Sequence, residues 1–211
     1  MANDPGDWLF EKTRIETLTD GIFAVTMTLL VLELKLPERP HASSLDWSTA
    51  VSFIEPRALS YVVSFVVLCV FWTGHVRMMR LVRHTDHGFI WLNLLFLLAT
   101  TFVPFTTSLG ADYRLQIVDV IYGVNIAVIL GVQFLLWQRI LSRPYLHVEQ
   151  VPDNVARVVR VRYTLAFAVV LLAIALAFVY PQISTATYVL LLLMGLFRPR
   201  TPGIDRATPN A

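Results

Sequence analysis

Residues 163–197 run without a single Asp, Glu, Lys or Arg. A helix of that length would measure about 50 Å at 1.5 Å per residue, well beyond a bilayer core of about 30 Å. Pro181 divides the run into blocks of 18 and 16 residues. The simplest reading is a helical hairpin that crosses a membrane twice, the second block being short enough to end in the interface. No water-soluble core accounts for such a run. Only 15% of the 211 residues are charged and 56% are apolar, against about 25% charged in soluble domains, so there is too little charge to cover a water-facing surface.

Four more apolar blocks precede it, at residues 14–36, 56–76, 88–109 and 120–138. Each is long enough to span. The first ends at Pro37, a natural helix stop, and a polar loop over residues 37–55 follows it. Asp4, Asp7 and Glu11 occupy the N-terminus in place of a basic leader region, so the first block is expected to stay as a spanning helix. The expected fold is therefore all-α and polytopic, with six transmembrane helices in a domain covering residues 1–198. A tail over residues 199–211, rich in Pro, Arg and Thr, reads as disordered.

Charge gives the orientation. With six spans, the N-terminus, the second-to-third loop, the fourth-to-fifth connector and the tail share one side. They carry 2, 3, 5 and 3 of the 17 basic residues, and the other side holds only Lys35, Arg39, Arg57 and Arg114. The positive-inside rule then makes both termini cytoplasmic in a multi-pass protein of the plasma membrane. An odd number of spans would put the tail's arginines outside. A net charge of +2 gives no basis for nucleic-acid binding. The lone cysteine, Cys69, has no partner for a disulfide or a zinc motif and reads as a small buried hydrophobe.

The first block is unusual for a span, since Asp20, Thr17, Thr19, Thr26, Thr28, Glu33 and Lys35 lie within it. Projected at about 100° per residue, Leu18, Val25 and Leu32 fall within about 40° of one another, with Leu29 beside them and Thr28 on the flank. Asp20 lies about 140° from Val25. An apolar stripe edged by a hydroxyl suits a narrow pore, where apolar rings gate by dewetting and hydroxyls replace part of a cation's hydration shell. Ordinary packing, each Thr bonding back into its own helix, is the competing reading.

Asp20 is costly so near a membrane unless it is paired or wet. Donors are expected on neighbouring elements, with Arg14, His75, Arg77 and Asn93 as candidates. A structural network is the favoured role and a proton relay the sharper one. His75 reads as a hydrogen-bonded packing residue, with pH sensing as an alternative.

The stretch Arg14-Ile-Glu-Thr-Leu-Thr-Asp-Gly-Ile-Phe-Ala, continuing as Thr28-Leu-Leu-Val-Leu-Glu33-Leu-Lys-Leu-Pro37, resembles the first-helix signature of prokaryotic members of the transmembrane protein 175 family, potassium channels related to the lysosomal channel of animals. Ser64-Phe65, Phe71-Trp72-x-x-His75, Trp91-Leu-Asn93-Leu-Leu-Phe96 and Pro104-Phe105-x-Thr107 extend the match over roughly residues 14 to 125, while the last helices match only as hydropathy. The resemblance implies a homotetramer whose first helices line a central pore. Val25 would form the constriction, Thr28 would contribute to cation selectivity with potassium passing near it, and Asp20 with Thr19 would brace the pore helix; with the candidate donors Arg14, His75 and Asn93 they make up the expected structural polar network. It also implies monovalent cations as the permeant species and no cofactor.

Two departures stand out. Leu18-Thr19-Asp20 replaces the family's Phe-Ser-Asp, keeping the hydroxyl and losing an aromatic ring. Val25 is smaller than the Ile or Leu usual at that place, which leaves Leu29 and Leu32 as rivals for the narrowest ring. No Thr-Val-Gly-Tyr-Gly filter occurs, so only modest preference for potassium over sodium is expected. A secondary transporter is the runner-up, although no half-repeat accompanies Pro104 and Gly110. An enzyme is disfavoured because no nucleophile–base or metal motif converges.

Overall fold

The computed structural model describes residues 11–34, 47–112, 116–147, 153–179, 187, 188 and 190. Six α-helices make up the described chain: α1 (Lys12–Leu29), α2 (Trp47–Met79), α3 (His87–Thr101), α4 (Val103–Asp112), α5 (Gln116–Ser142) and α6 (Asp153–Val179). Five stretches are long and apolar enough to cross a membrane: Lys12–Leu32, Arg57–Met79, His87–Gly110, Gln116–Ser142 and Ala156–Val179. Apart from residues 187, 188 and 190, the expected sixth span lies outside the described residues, as do the tail and the end of the first block from Lys35 to Pro37.

Helix boundaries differ from the hydropathy reading, and the reasons are local. The first block does not stay α-helical to its end: Leu30–Glu33 tightens into a 3-10 turn, a common way to satisfy the last carbonyls of a helix. The expected loop over residues 37–55 gives way to helix from Trp47 onward, and Pro56 sits inside α2; proline's fixed φ is compatible with helix, although it forgoes one N–H bond there. The third span breaks at Phe102, because Pro104 removes a backbone donor and crowds the carbonyl four residues back. The basic connector is in fact largely helix. Arg157, Arg160 and Arg162 ride on the first turns of α6, since no Gly or Pro interrupts residues 153–180 and arginine is a good helix former.

The helices stack in sequence across the subunit. α1 packs on α2, α3 and α4; α3 and α4 pack on α5; and α6 lies against α5. Phe23, Phe71, Phe96, Val67 and Leu68 form the buried centre of the α1–α3 layer, and Ile126, Ile129, Leu136 and Val170 continue it through α5 and α6. Many large apolar side chains face outward as well. Trp91 is 70% exposed, and Leu98, Leu171 and Phe178 are similarly open, a distribution suited to lipid rather than water.

The connectors at the basic end are tied together. Val82 and His147 form an isolated antiparallel bridge, and the Arg83 N–H donates to the Leu146 carbonyl at 2.7 Å. Asp86 caps α3, accepting from the Phe89 N–H at 2.8 Å, and also takes two bonds from Arg139 and one from the Tyr145 hydroxyl. Partial desolvation pushes the Asp86 carboxyl up, but these donors outweigh it and hold the group down at about 2.

Candidate functional site: the first helix and its braces

One face of α1 is buried and polar at a single level. Thr19, His75 and Asn93 are each 1% exposed. The Asn93 amide donates to the Thr19 hydroxyl at 3.2 Å, and its carbonyl oxygen lies 2.8 Å from His75 Nε2. With the amide so oriented, His75 must carry its proton on Nε2 to donate. The ring also stacks on Phe96, centroids 5.3 Å apart and planes 9° apart, and Phe96 in turn meets Phe23 of α1 at 5.7 Å. A hydroxyl, an amide and an imidazole from three helices thus satisfy one another in an apolar setting, where an unpaired polar group is expensive.

Asp20 finds a different donor from those expected. Trp72 Nε1 donates to Asp20 Oδ1 at 2.7 Å. Trp72 and His75 are three residues apart on α2, hence on one face, and they reach adjacent residues of α1: Asp20 directly and Thr19 through Asn93. Arg14 is exposed and stands outside this hydrogen-bonded chain. The Trp-x-x-His spacing was the available signal for Trp72, since an indole N–H is a donor that needs a partner.

The opposite face of α1 is open. Val25 is 56% exposed, Leu32 62%, and Leu18 and Leu29 nearly as much. Thr28 is exposed beside them, its hydroxyl donating to the Val25 carbonyl at 2.8 Å; Thr17 bonds back to Thr13 in the same way. A hydroxyl whose one proton is given to its own backbone presents oxygen lone pairs outward. The angular separation between the stripe and the buried face is that of a helix anchored on one side and unpartnered within the subunit on the other.

Further buried polar contacts escaped sequence reasoning. The Ser64 and Thr107 hydroxyls are 2.9 Å apart, and Ser64 donates to the Tyr122 hydroxyl at 3.2 Å, joining α2, α4 and α5. Gln133, buried in α5, donates to the Phe71 carbonyl at 3.0 Å. A glutamine in the middle of an apolar block was its only signature. Among the described residues, no three His, Cys, Asp or Glu side chains converge on a metal site.

Residues 14–104 match the family model described as endosomal/lysosomal potassium channel TMEM175. A potassium channel of Streptomyces collinus is 30% identical over 95% of this chain and 99% of its own length. One from Chamaesiphon minutus is 31% identical over 82% and 88%. The chain belongs to the TMEM175 family.

TMEM175 is a family of ion channels, not of enzymes. The crystal structure of a lysosomal potassium-selective channel TMEM175 homolog from Chamaesiphon minutus superposes with a TM-score of 0.77, at 29% identity, over 87% of this chain and 95% of that one. The human endosomal/lysosomal proton channel TMEM175 is 26% identical over 52% of this chain but only 22% of its own length. The family match runs from Arg14 to Pro104 and so contains every residue of the α1–α2–α3 brace, whereas α5 and α6 lie beyond it.

Proposed function

We propose that this chain is one subunit of a homotetrameric, potassium-permeable cation channel of the plasma membrane. Each subunit has six spans and both termini in the cytoplasm, and the four α1 helices line a central pore. The observation that carries this reading is the open stripe of α1, Val25, Leu29 and Leu32 with Thr28 at its edge, set opposite a face fixed by buried polar bonds. Lipid alone would not call for Thr17, Asp20 and Thr28 among the exposed residues of the same helix.

In this arrangement Val25 is the leading constriction, with Leu29 and Leu32 as its rivals. Four apolar side chains meeting on an axis leave a tube narrow enough to shed water. Thr28, one turn along, offers outward hydroxyl oxygens to a potassium ion as it sheds part of its shell. Hydroxyls discriminate weakly between alkali ions, so sodium should pass as a poorer substitute. Permeation of this kind requires no cofactor.

The test is single-channel recording of purified protein in a planar bilayer under a potassium gradient. Unitary currents reversing toward the potassium potential support the channel. Saturable flux without unitary currents, or flux strictly coupled to a second ion, would move the assignment to a secondary transporter. The mass of the detergent-solubilised complex checks the subunit number.

A further inference from the structure

A cavity of about 140 Å³ opens between α2, α5 and α6, away from the α1 stripe. Its wall is apolar for most of its depth, with Val67, Val70, Leu130 and Ala166 among the lining residues. At the basic end of the bundle its rim carries two guanidinium groups, Arg77 from the last turn of α2 and Arg162 from α6. Gln133 and Trp137 line the cavity as well, and both are buried. Gly74 lets the glutamine approach: a Cβ there would lie 3.3 Å from Gln133 Nε2.

We propose that this cavity is a binding site for an anionic phospholipid, with the headgroup phosphate between Arg77 and Arg162 and one acyl chain lying along the wall toward Val67. Three features select that ligand. Cationic groups are confined to one end and the rest is apolar, which matches an amphiphile and not a free anion. Ten residues of α2 separate Arg77 from Val67, about 15 Å of helix, or one leaflet of a hydrocarbon core of about 30 Å. The volume is close to the roughly 150 Å³ of a protein cavity able to take up benzene, enough for a section of an acyl chain. Each guanidinium carries five donors, so either arginine can hold a protein contact and a phosphate oxygen together. Basic pockets between membrane helices are established places for anionic headgroups.

The experiment is native mass spectrometry of the full chain in detergent, titrated separately with phosphatidylglycerol and phosphatidylcholine. The expected result is retention of phosphatidylglycerol at concentrations where phosphatidylcholine is lost. R77Q/R162Q should raise the half-saturating phosphatidylglycerol concentration about tenfold or more, since charge-assisted bonds to phosphate are removed. R80Q, at the same end but not lining the cavity, is the off-site control for loss of basic charge and should bind as the wild type does. A166F keeps both arginines and fills the cavity, so it should exclude the lipid even if the double variant fails to fold. Equal retention of the two lipids, equal loss in R80Q, undiminished binding in A166F, or displacement by excess inorganic phosphate would each overturn the proposal. The readout is bound lipid, independent of whether the protein conducts.

Discussion

Trp72 and Asp20 are joined by a 2.7 Å hydrogen bond between the second helix and the first. It lies one residue from the level at which Asn93 and His75 hold Thr19. The rotation of α1 about its axis is therefore fixed at two adjacent residues, and with it the direction in which Val25 and Leu32 point.

Trp72→Phe should weaken the fold by about 1 kcal/mol, the net worth of a typical hydrogen bond, since this one is exposed. Urea titration of the detergent-solubilised protein measures it. Combined with Asp20→Asn, the loss should be smaller than the sum of the two single losses, because both act on one bond: the first removes its donor and the second leaves a neutral acceptor in place of a carboxylate. Asp20→Asn should reduce the yield of assembled complex more than it alters ion preference. A stable complex without current would transfer Asp20 from bracing to conduction.

Asn93→Leu should be more damaging, by about 2–4 kcal/mol. It leaves the Thr19 hydroxyl and the His75 imidazole unpaired in the core, and the desolvation of both groups is then uncompensated. A large fall in melting temperature by intrinsic fluorescence is the expected outcome.

Asp86 predicts an acid limb in stability. Its carboxyl is held near 2, below its ordinary value of 3.8, by Arg139, the Phe89 amide and Tyr145 acting against desolvation. A depressed carboxylate stabilises the fold at pH above its unfolded value, and that contribution drains away as pH falls through the folded value. The loss should fall between about pH 4 and pH 2, and Asp86→Asn should flatten the profile there.

Gly88→Ala should disturb the same connection from the other side. A Cβ at Gly88 would sit 2.3 Å from Arg139 Cζ and Nη2, so the guanidinium would have to shift on Asp86. Because it is the flexible end of a partly exposed side chain, a cost of about 1 kcal/mol or less is expected. Faster proteolysis between α2 and α3 would report it.

Thr28→Ala should lower the potassium-to-sodium permeability ratio while preserving conductance. Reversal potentials under bi-ionic conditions measure this, and an unchanged ratio would remove Thr28 from selectivity.

Much of the fold could be read from charge and hydropathy, because a bilayer punishes charge in a span so heavily that gaps between charges mark the helices. Helix limits were less legible. Arg157 and Arg160 read as a connector ahead of the apolar run but belong to α6, since span and helix answer to different physics. On α1, the Leu18–Val25–Leu32 stripe and the offset of Asp20 followed from helical geometry, whereas Asp20's donor did not: Trp72 lies 52 residues away. Arg139 and Asp86, 53 residues apart, were equally invisible, because nothing local in either sequence context specifies the other.

The 3-10 turn at Leu30–Glu33 alters what α1 offers at its far end. In an α-helix Leu29 and Leu32 would diverge by about 60°. In 3-10 geometry each residue advances by about 120°, so positions three apart eclipse, separated by about 6 Å along the axis. The turn thus draws Leu32 toward the line of Leu29, the last residue of α1, into an apolar rib, with Leu30 fully buried. Around a fourfold axis such ribs would make a plug with depth, so that trimming Leu29 or Leu32 singly would shorten the barrier without removing it.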